Sequence, residues 1–246
     1  MRRAIRSRLS LAMWIVMLAG IAGGCSGSKV STKTSPELSH YKIRSMVLMP
    51  FTSIATPQLP DQGDFFFSTP SSIRRSDISI AVPSPVEPHA KQTMMMPGYA
   101  EEKMTELFWG HLQGRKGIRV ISPGEAVRAF SADGELANVG PETAAAVVAK
   151  RLKVDAALIG VVLVYQERVG SRLGASPPAT VGFDTKVVAA DGQVLWASGY
   201  YERQHHMGED LIGFFRGWGF LTAGELAEYG VKEVLKDFPF GVGEDK

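Results

Sequence analysis

Cys25 is the sole cysteine of the 246-residue chain, and its thiol closes the run Leu18-Ala19-Gly20-Ile21-Ala22-Gly23-Gly24-Cys25. Arg2, Arg3, Arg6 and Arg8 precede an apolar stretch, Leu9 to Ile21, that is too short to cross a bilayer comfortably as a mature helix. Small side chains at Ala22, Gly23 and Gly24 allow the extended, close approach that a signal peptidase needs. The pattern makes Cys25 a candidate lipid attachment point. The competing reading is a free thiol behind an ordinary secretory signal or an uncleaved anchor. A lone cysteine can form no disulfide within the chain, and an unpaired thiol is a liability in an oxidising compartment.

Three other groups could carry chemistry. His205, His206, Glu209 and Asp210 lie close together and invite comparison with a metal site. Adjacent histidines on a strand point to opposite sides, and no further His or Cys stands at ligand spacing to complete a tetrahedral set, so a solvated loop is the better reading. Gly170-Ser171-Arg172-Leu173-Gly174 follows a strand but leads into Pro177-Pro178 rather than a helix, which argues for a hairpin loop and against a phosphate cradle. Ile212 to Leu221 carries Phe214, Phe215, Trp218 and Phe220 among glycines and one arginine. Aromatics at this density form a partner-binding hot spot or enter a membrane interface. The other reading is that they pack as core beneath the final helix. No nucleophile elbow, phosphate loop or metalloprotease helix is present.

The elements that must position these groups alternate between strands and helices. Ser45 to Phe51 reads as a short buried strand, Gly98 to Leu112 as an amphipathic helix and Arg119 to Ile121 as another strand. Ser122-Pro123-Gly124-Glu125 predicts a helix from Pro123 to Phe130, and Pro141 to Lys153 repeats the proline start. Val154 to Tyr165 is almost continuously apolar and β-branched, the signature of a central strand covered on both faces. Thr180 to Ala190 and Val194 to Arg203 alternate around Asp191-Gly192 and predict a hairpin with Val187 opposite Trp196, Phe183 opposite Tyr200 and Gly182 opposite Tyr201. Thr222 to Glu225 is a capping box that opens a terminal helix. The expected fold is therefore α/β, a mixed sheet flanked by helices with a C-terminal β-hairpin and a last helix.

Between these elements, two stretches read as irregular. Residues 25–40 are rich in Ser, Lys and Thr and bury too little apolar surface to offset ordering, so they are expected to be a flexible tether. At about 3.4 Å per residue, the stretch from Cys25 to Tyr41 would reach roughly 55 Å. Residues 56–93 hold six prolines and are expected to form an irregular insertion, within which Ile78, Ile80 and Val82 alternate as a short edge strand would. One α/β domain is expected over 41–240, with a tail at 241–246. Removal of residues 1–24 takes four arginines from 27 basic residues and leaves 23 against 25 acidic ones, a net charge of −2. With no Lys/Arg stripe interleaved with aromatics, nucleic-acid binding is not expected.

The amino-terminal pattern resembles a bacterial lipoprotein signal peptide, with Ala22 where such signals usually carry a larger aliphatic residue. That resemblance implies a diacylglycerol on the Cys25 sulfur, a further acyl chain on its amine and no other cofactor. Ser26 is not the aspartate that retains such proteins in the inner membrane of enteric bacteria, so the resemblance implies the periplasmic face of the outer membrane. The stretches DAALIGVVLVYQER and PPATVGFDTKVVAADGQVLWASGYYE, with a helix ending near VLKDFP, resemble the envelope lipoproteins related to CsgG, LpoB and the TolB amino-terminal domain. In that family these are structural signatures without catalytic residues. The resemblance implies a non-catalytic binding or assembly module for envelope components. Its alternatives are a subunit of a homo-oligomeric secretion or surface-assembly complex, or a small envelope hydrolase using His205 or His206.

Overall fold

Strand β5 (Ala156–Gln166) lies at the centre of the sheet, because its side chains are apolar on both faces and can be buried on both. Ala156, Leu158 and Val162 enter one apolar cluster, while Ala157 enters another on the opposite face. The computed structural model describes residues 29–53, 96–131, 139–204 and 219–243.

On one side β5 pairs in parallel with β2 (Ser45–Leu48), which pairs in parallel with β4 (Arg119–Ile121). The two-residue β3 (Thr52–Ser53) also lies parallel to β5. On the other side β6 (Thr180–Ala189), β7 (Val194–Arg203) and β1 (Val30–Thr34) follow in antiparallel order. The resulting order, β1-β7-β6-β5-β2-β4, is a mixed sheet. Helices α1 (Ala100–Leu112) and α4 (Ala223–Lys236) cover one face. Helices α2 (Pro123–Ser131) and α3 (Pro141–Arg151) cover the other with mostly alanine and valine. The expected α/β class, hairpin and terminal helix are all present.

Between the sheet and the α1/α4 layer runs a row of rings, with Phe51–Phe108 centroids 4.8 Å apart, Phe108–Phe183 5.7 Å and Phe183–Tyr200 5.5 Å. Gly160 makes room for the first of them, since a Cβ there would lie 2.1 Å from Phe51 Cε1. Gly230 of α4 does the same for Tyr200, at 2.5 Å. The parallel pair β2/β5 is stapled at its start by Asp155, whose Oδ2 accepts the Arg44 and Ser45 N–H groups and the Ser45 hydroxyl, each at 2.9 Å. Desolvation works to raise this carboxyl, but those donors outweigh it and hold it below its ordinary value.

The predicted hairpin pairs Val187–Trp196, Phe183–Tyr200 and Gly182–Tyr201 are all found. The turn differs from expectation. Ala189 donates to the Gln193 carbonyl at 2.8 Å, and Val188 pairs with Val194, so the loop holds three residues and Leu195 is the extra, bulged one. The bulge restores the register and lets consecutive Leu195 and Trp196 enter the same cluster.

The larger difference is at the amino-terminal side. Residues 25–40 were expected to be a tether, yet Val30–Thr34 is a strand paired residue by residue with Tyr200 to Trp196. Pro36–His40 then forms a 3-10 turn capped by the Ser35 hydroxyl. An edge strand needs backbone partners and few apolar side chains, so composition alone does not reveal it. Val30, Leu38 and Tyr41 add partial burial against the α1/α4-side cluster. Within the expected tail, Val242 pairs with Lys116 in both directions, at 2.8 and 3.0 Å, and the Arg115 guanidinium donates to the Gly241 carbonyl at 3.2 Å. Cys25, the 56–93 insertion, His205, His206, Glu209, Asp210, Phe214, Phe215 and Trp218 lie outside the described residues.

Candidate functional site

The lipid-attachment reading of Cys25 directs attention to where the chain following it joins the sheet. Lys29 is already engaged: its carbonyl accepts the Tyr201 N–H at 3.1 Å, and its ammonium lies 3.0 Å from Glu202 Oε1. Glu202 is only 3 % exposed. The Tyr200 hydroxyl donates to its other oxygen, so the carboxylate links Lys29 to the end of the aromatic row. Strand alternation explains this placement, because Trp196, Tyr200 and Glu202 share a parity that puts them on the core side of β7. A carboxylate at a core-facing position must find partners, and that parity was the available signal for a residue that motif reading passed over.

The same end of the sheet gathers the β5–β6 connection and the entry to α4. Gln204, 2 % exposed, donates to the Gly219 carbonyl at 3.0 Å and accepts the Leu221 N–H at 2.7 Å. Arg168 donates to the Phe220 carbonyl, and the Phe220 N–H donates to Arg172 at 2.8 Å. The Phe220 ring is 1 % exposed, so it belongs to the interior. Of the four aromatics singled out as a partner surface, it is the one described, and it packs as core. Three N–H groups at the α4 N-terminus have side-chain acceptors: Thr222 and Glu225 form the predicted capping box, and Glu167 accepts the Ala223 N–H at 3.1 Å. The Thr222 N–H bond to Glu225 is the main reason that its carboxyl stays below its ordinary value, with the Thr222 hydroxyl and Arg172 assisting against burial. Two carboxylates occupy the place an anion would take.

Ser171 to Gly174 closes a tight loop through the Ser171 N–H bond to the Gly174 carbonyl at 2.8 Å, and Gly170 bridges Ala175. This is the hairpin loop expected for the glycine-bearing segment. Burial, then Glu167 and Tyr99, pushes the nearby Tyr165 phenol up to about 12, so it stays protonated at neutral pH.

Two open clefts flank Pro50. One, of about 270 Å³, is walled by Met49, Phe130, Val139, Ile159 and Val161, and has the Lys186–Glu142 ion pair (2.7 Å) at its rim. The other, of about 420 Å³, runs along α1 past Glu101, Glu102, Thr105 and Trp109. In the larger cleft the Thr105 hydroxyl donates to the Glu101 backbone carbonyl at 2.7 Å. Among the described residues no group of three His, Cys, Asp or Glu is placed to hold a metal, and no helix is long and apolar enough to cross a membrane.

No family model matches the chain, and no curated protein does. Among solved structures, a PelC dodecamer from Paraburkholderia phytofirmans is similar at 12% identity and a TM-score of 0.40, covering 84% of this chain and 93% of that one. The hypothetical protein CT253 from Chlamydia trachomatis is similar at 12% identity and 0.36, over 78% and 94%. Lipoprotein GNA1162 from Neisseria meningitidis is similar at 15% identity and 0.32, over 79% and 99%.

Proposed function

We propose that this chain is a lipid-anchored envelope protein whose domain is a non-catalytic binding or assembly module at the periplasmic face of the outer membrane. The observation that carries the reading is the junction between Cys25 and the sheet. The signal-like segment ends at Cys25, and by Lys29 the chain is bonded to β7. Four residue steps span at most about 14 Å, a quarter of the reach that an unstructured stretch to Tyr41 would have. Such a link holds the domain against the membrane surface, where it can dock neighbours and has no long arm to extend. The module binds other envelope proteins. The clefts beside Pro50 offer apolar walls with paired charges at their rims, as recognition surfaces do.

In-cell crosslinking through a photoreactive residue introduced at exposed Val139, beside the 270 Å³ cleft, tests this reading. A discrete envelope protein should be captured by the wild type and lost when Cys25→Ser frees the chain from the membrane. Equal capture by the soluble variant would show that anchoring is irrelevant to binding.

A further inference from the structure

Seven large apolar side chains are exposed among the described residues: Tyr99, Val127, Val139, Val169, Leu173, Tyr201 and Val242. Four of them fall at one end of the sheet. Val169 (62 % exposed) and Leu173 (86 %) stand on the loop joining β5 to β6. Tyr99, at the start of α1, packs edge-on against Tyr165 near the end of β5, with ring centroids 5.8 Å apart. Tyr201 lies over Gly182 near the start of β6.

The chain from Cys25 enters the sheet at this same end. β1 runs antiparallel to β7 from Val30 opposite Tyr200 to Thr34 opposite Trp196, so Lys29 stands at the carboxyl end of β7. β5 and β6 reach their connection on that side too, because Gln166 pairs with Thr180 and Thr180 with Arg203. Lys29 is level with Tyr201, Gly182 and Val164, and the 166–180 loop projects beyond that row.

We infer that the 166–180 loop is a membrane-contact surface, with Leu173 and Val169 seated in the lipid interface. The inference rests on the lipid-anchor reading, which limits the distance from the bilayer to Lys29 to about 14 Å. A flat bilayer within that distance of Lys29 faces this end of the sheet, where among the described residues the 166–180 loop projects beyond Lys29. The loop tip has the chemistry for that place: an almost fully exposed leucine, a valine four positions earlier, and Arg172 between them, whose carbonyl and guanidinium are tied to Phe220 and Glu225. Those ties hold the loop to α4, so the apolar tip is presented on a fixed base. The half-exposed Tyr99 and Tyr201 flank it from opposite faces of the sheet, as rings with polar tips do at a bilayer interface.

The test uses the full lipidated chain in vesicles. With the Cys25 sulfur held in a thioether, Leu173→Cys supplies one free thiol for an environment-sensitive fluorophore. Val242→Cys, at the opposite end beside Lys116, is the reference. The label at position 173 should be blue-shifted and quenched severalfold more by nitroxide-bearing lipid than the label at 242. Equal lipid quenching at the two positions overturns the inference. Shielding of 173 from aqueous iodide without lipid quenching also overturns it, and points to a protein on this loop. Failure of the anchor itself reads out separately, as two labels per chain and a mass without acyl chains.

Discussion

Replacing Lys33 with proline should release β1 from the sheet while the rest of the domain stays folded. Tyr201 donates to the Lys29 carbonyl and Ser35 donates to the Leu195 carbonyl, at 3.1 and 2.9 Å. Opposed residues in an antiparallel pair alternate between bonded and non-bonded positions, so Ser31 with Gly199 and Lys33 with Ala197 are bonded pairs. The N–H groups of Val30, Thr32 and Thr34 then face away from β7. Proline at position 33 removes an inward donor and strains the return bond from Ala197, a loss of about 1–3 kcal/mol. Ordering each backbone residue of an edge strand costs about 1–2 kcal/mol, so β1 has little margin against that loss. Thr32→Pro is the matched control: its missing N–H points outward, and it gives up mainly the 3.0 Å hydroxyl contact with Ser198. Hydrogen–deuterium exchange on the lipidated chain reads both variants. Protection over 29–35 should vanish in Lys33→Pro and persist in Thr32→Pro, and the released tether should let the domain stand up to about 55 Å from its anchor. Equal protection in the two variants would refute the assigned register and the short-tether argument built on it.

Phe220→Ala should cost about 3–5 kcal/mol in a denaturant titration, because the ring is buried, whereas a loss below about 1 kcal/mol with weakened partner capture would return this residue to the surface. Gly160→Ala drives a methyl into the Phe51 ring and should lower stability by about 1–3 kcal/mol; an unchanged melting temperature would contradict the packing. Asp155→Asn should cost about 1 kcal/mol near neutral pH, discounted for the exposure of this carboxylate to solvent. The folded-state pKa of Asp155 is depressed, so its contribution is complete above the unfolded value near 4 and is lost as pH falls through the lower folded value. The stability gap between wild type and variant should thus be constant from pH 5 to 8 and close below about pH 4. A gap that widens on acidification would reverse the assignment.

Much of the sheet is legible in sequence because alternation and burial coincide there. β5 reads as central from its unbroken apolar run, and the β6/β7 partners follow from Phe183, Val187, Trp196 and Tyr200 sharing one face. The three-residue turn with its Leu195 bulge preserves those partners, so counting residues across a two-residue turn gives the right pairs from the wrong loop. β1 is hidden for a physical reason: Val30, Thr32 and Thr34 are β-branched, but the strand is held mainly by ladder bonds, which leave no trace in composition. Glu202 is hidden differently. Its burial depends on Lys29, 173 positions away, and motif spacing cannot see a partner that distant.

The central claim is that Cys25 is the mature first residue, carries lipid, and holds the domain close against a membrane through the Lys29 junction. Intact-mass analysis of the chain extracted from membranes tests it most directly, with Cys25→Ser beside it. The account predicts a chain beginning at residue 25 whose mass includes two or three acyl groups, and a Cys25→Ser variant that leaves the membrane fraction. A membrane-bound wild type that retains residues 1–24 and an unmodified thiol would contradict it.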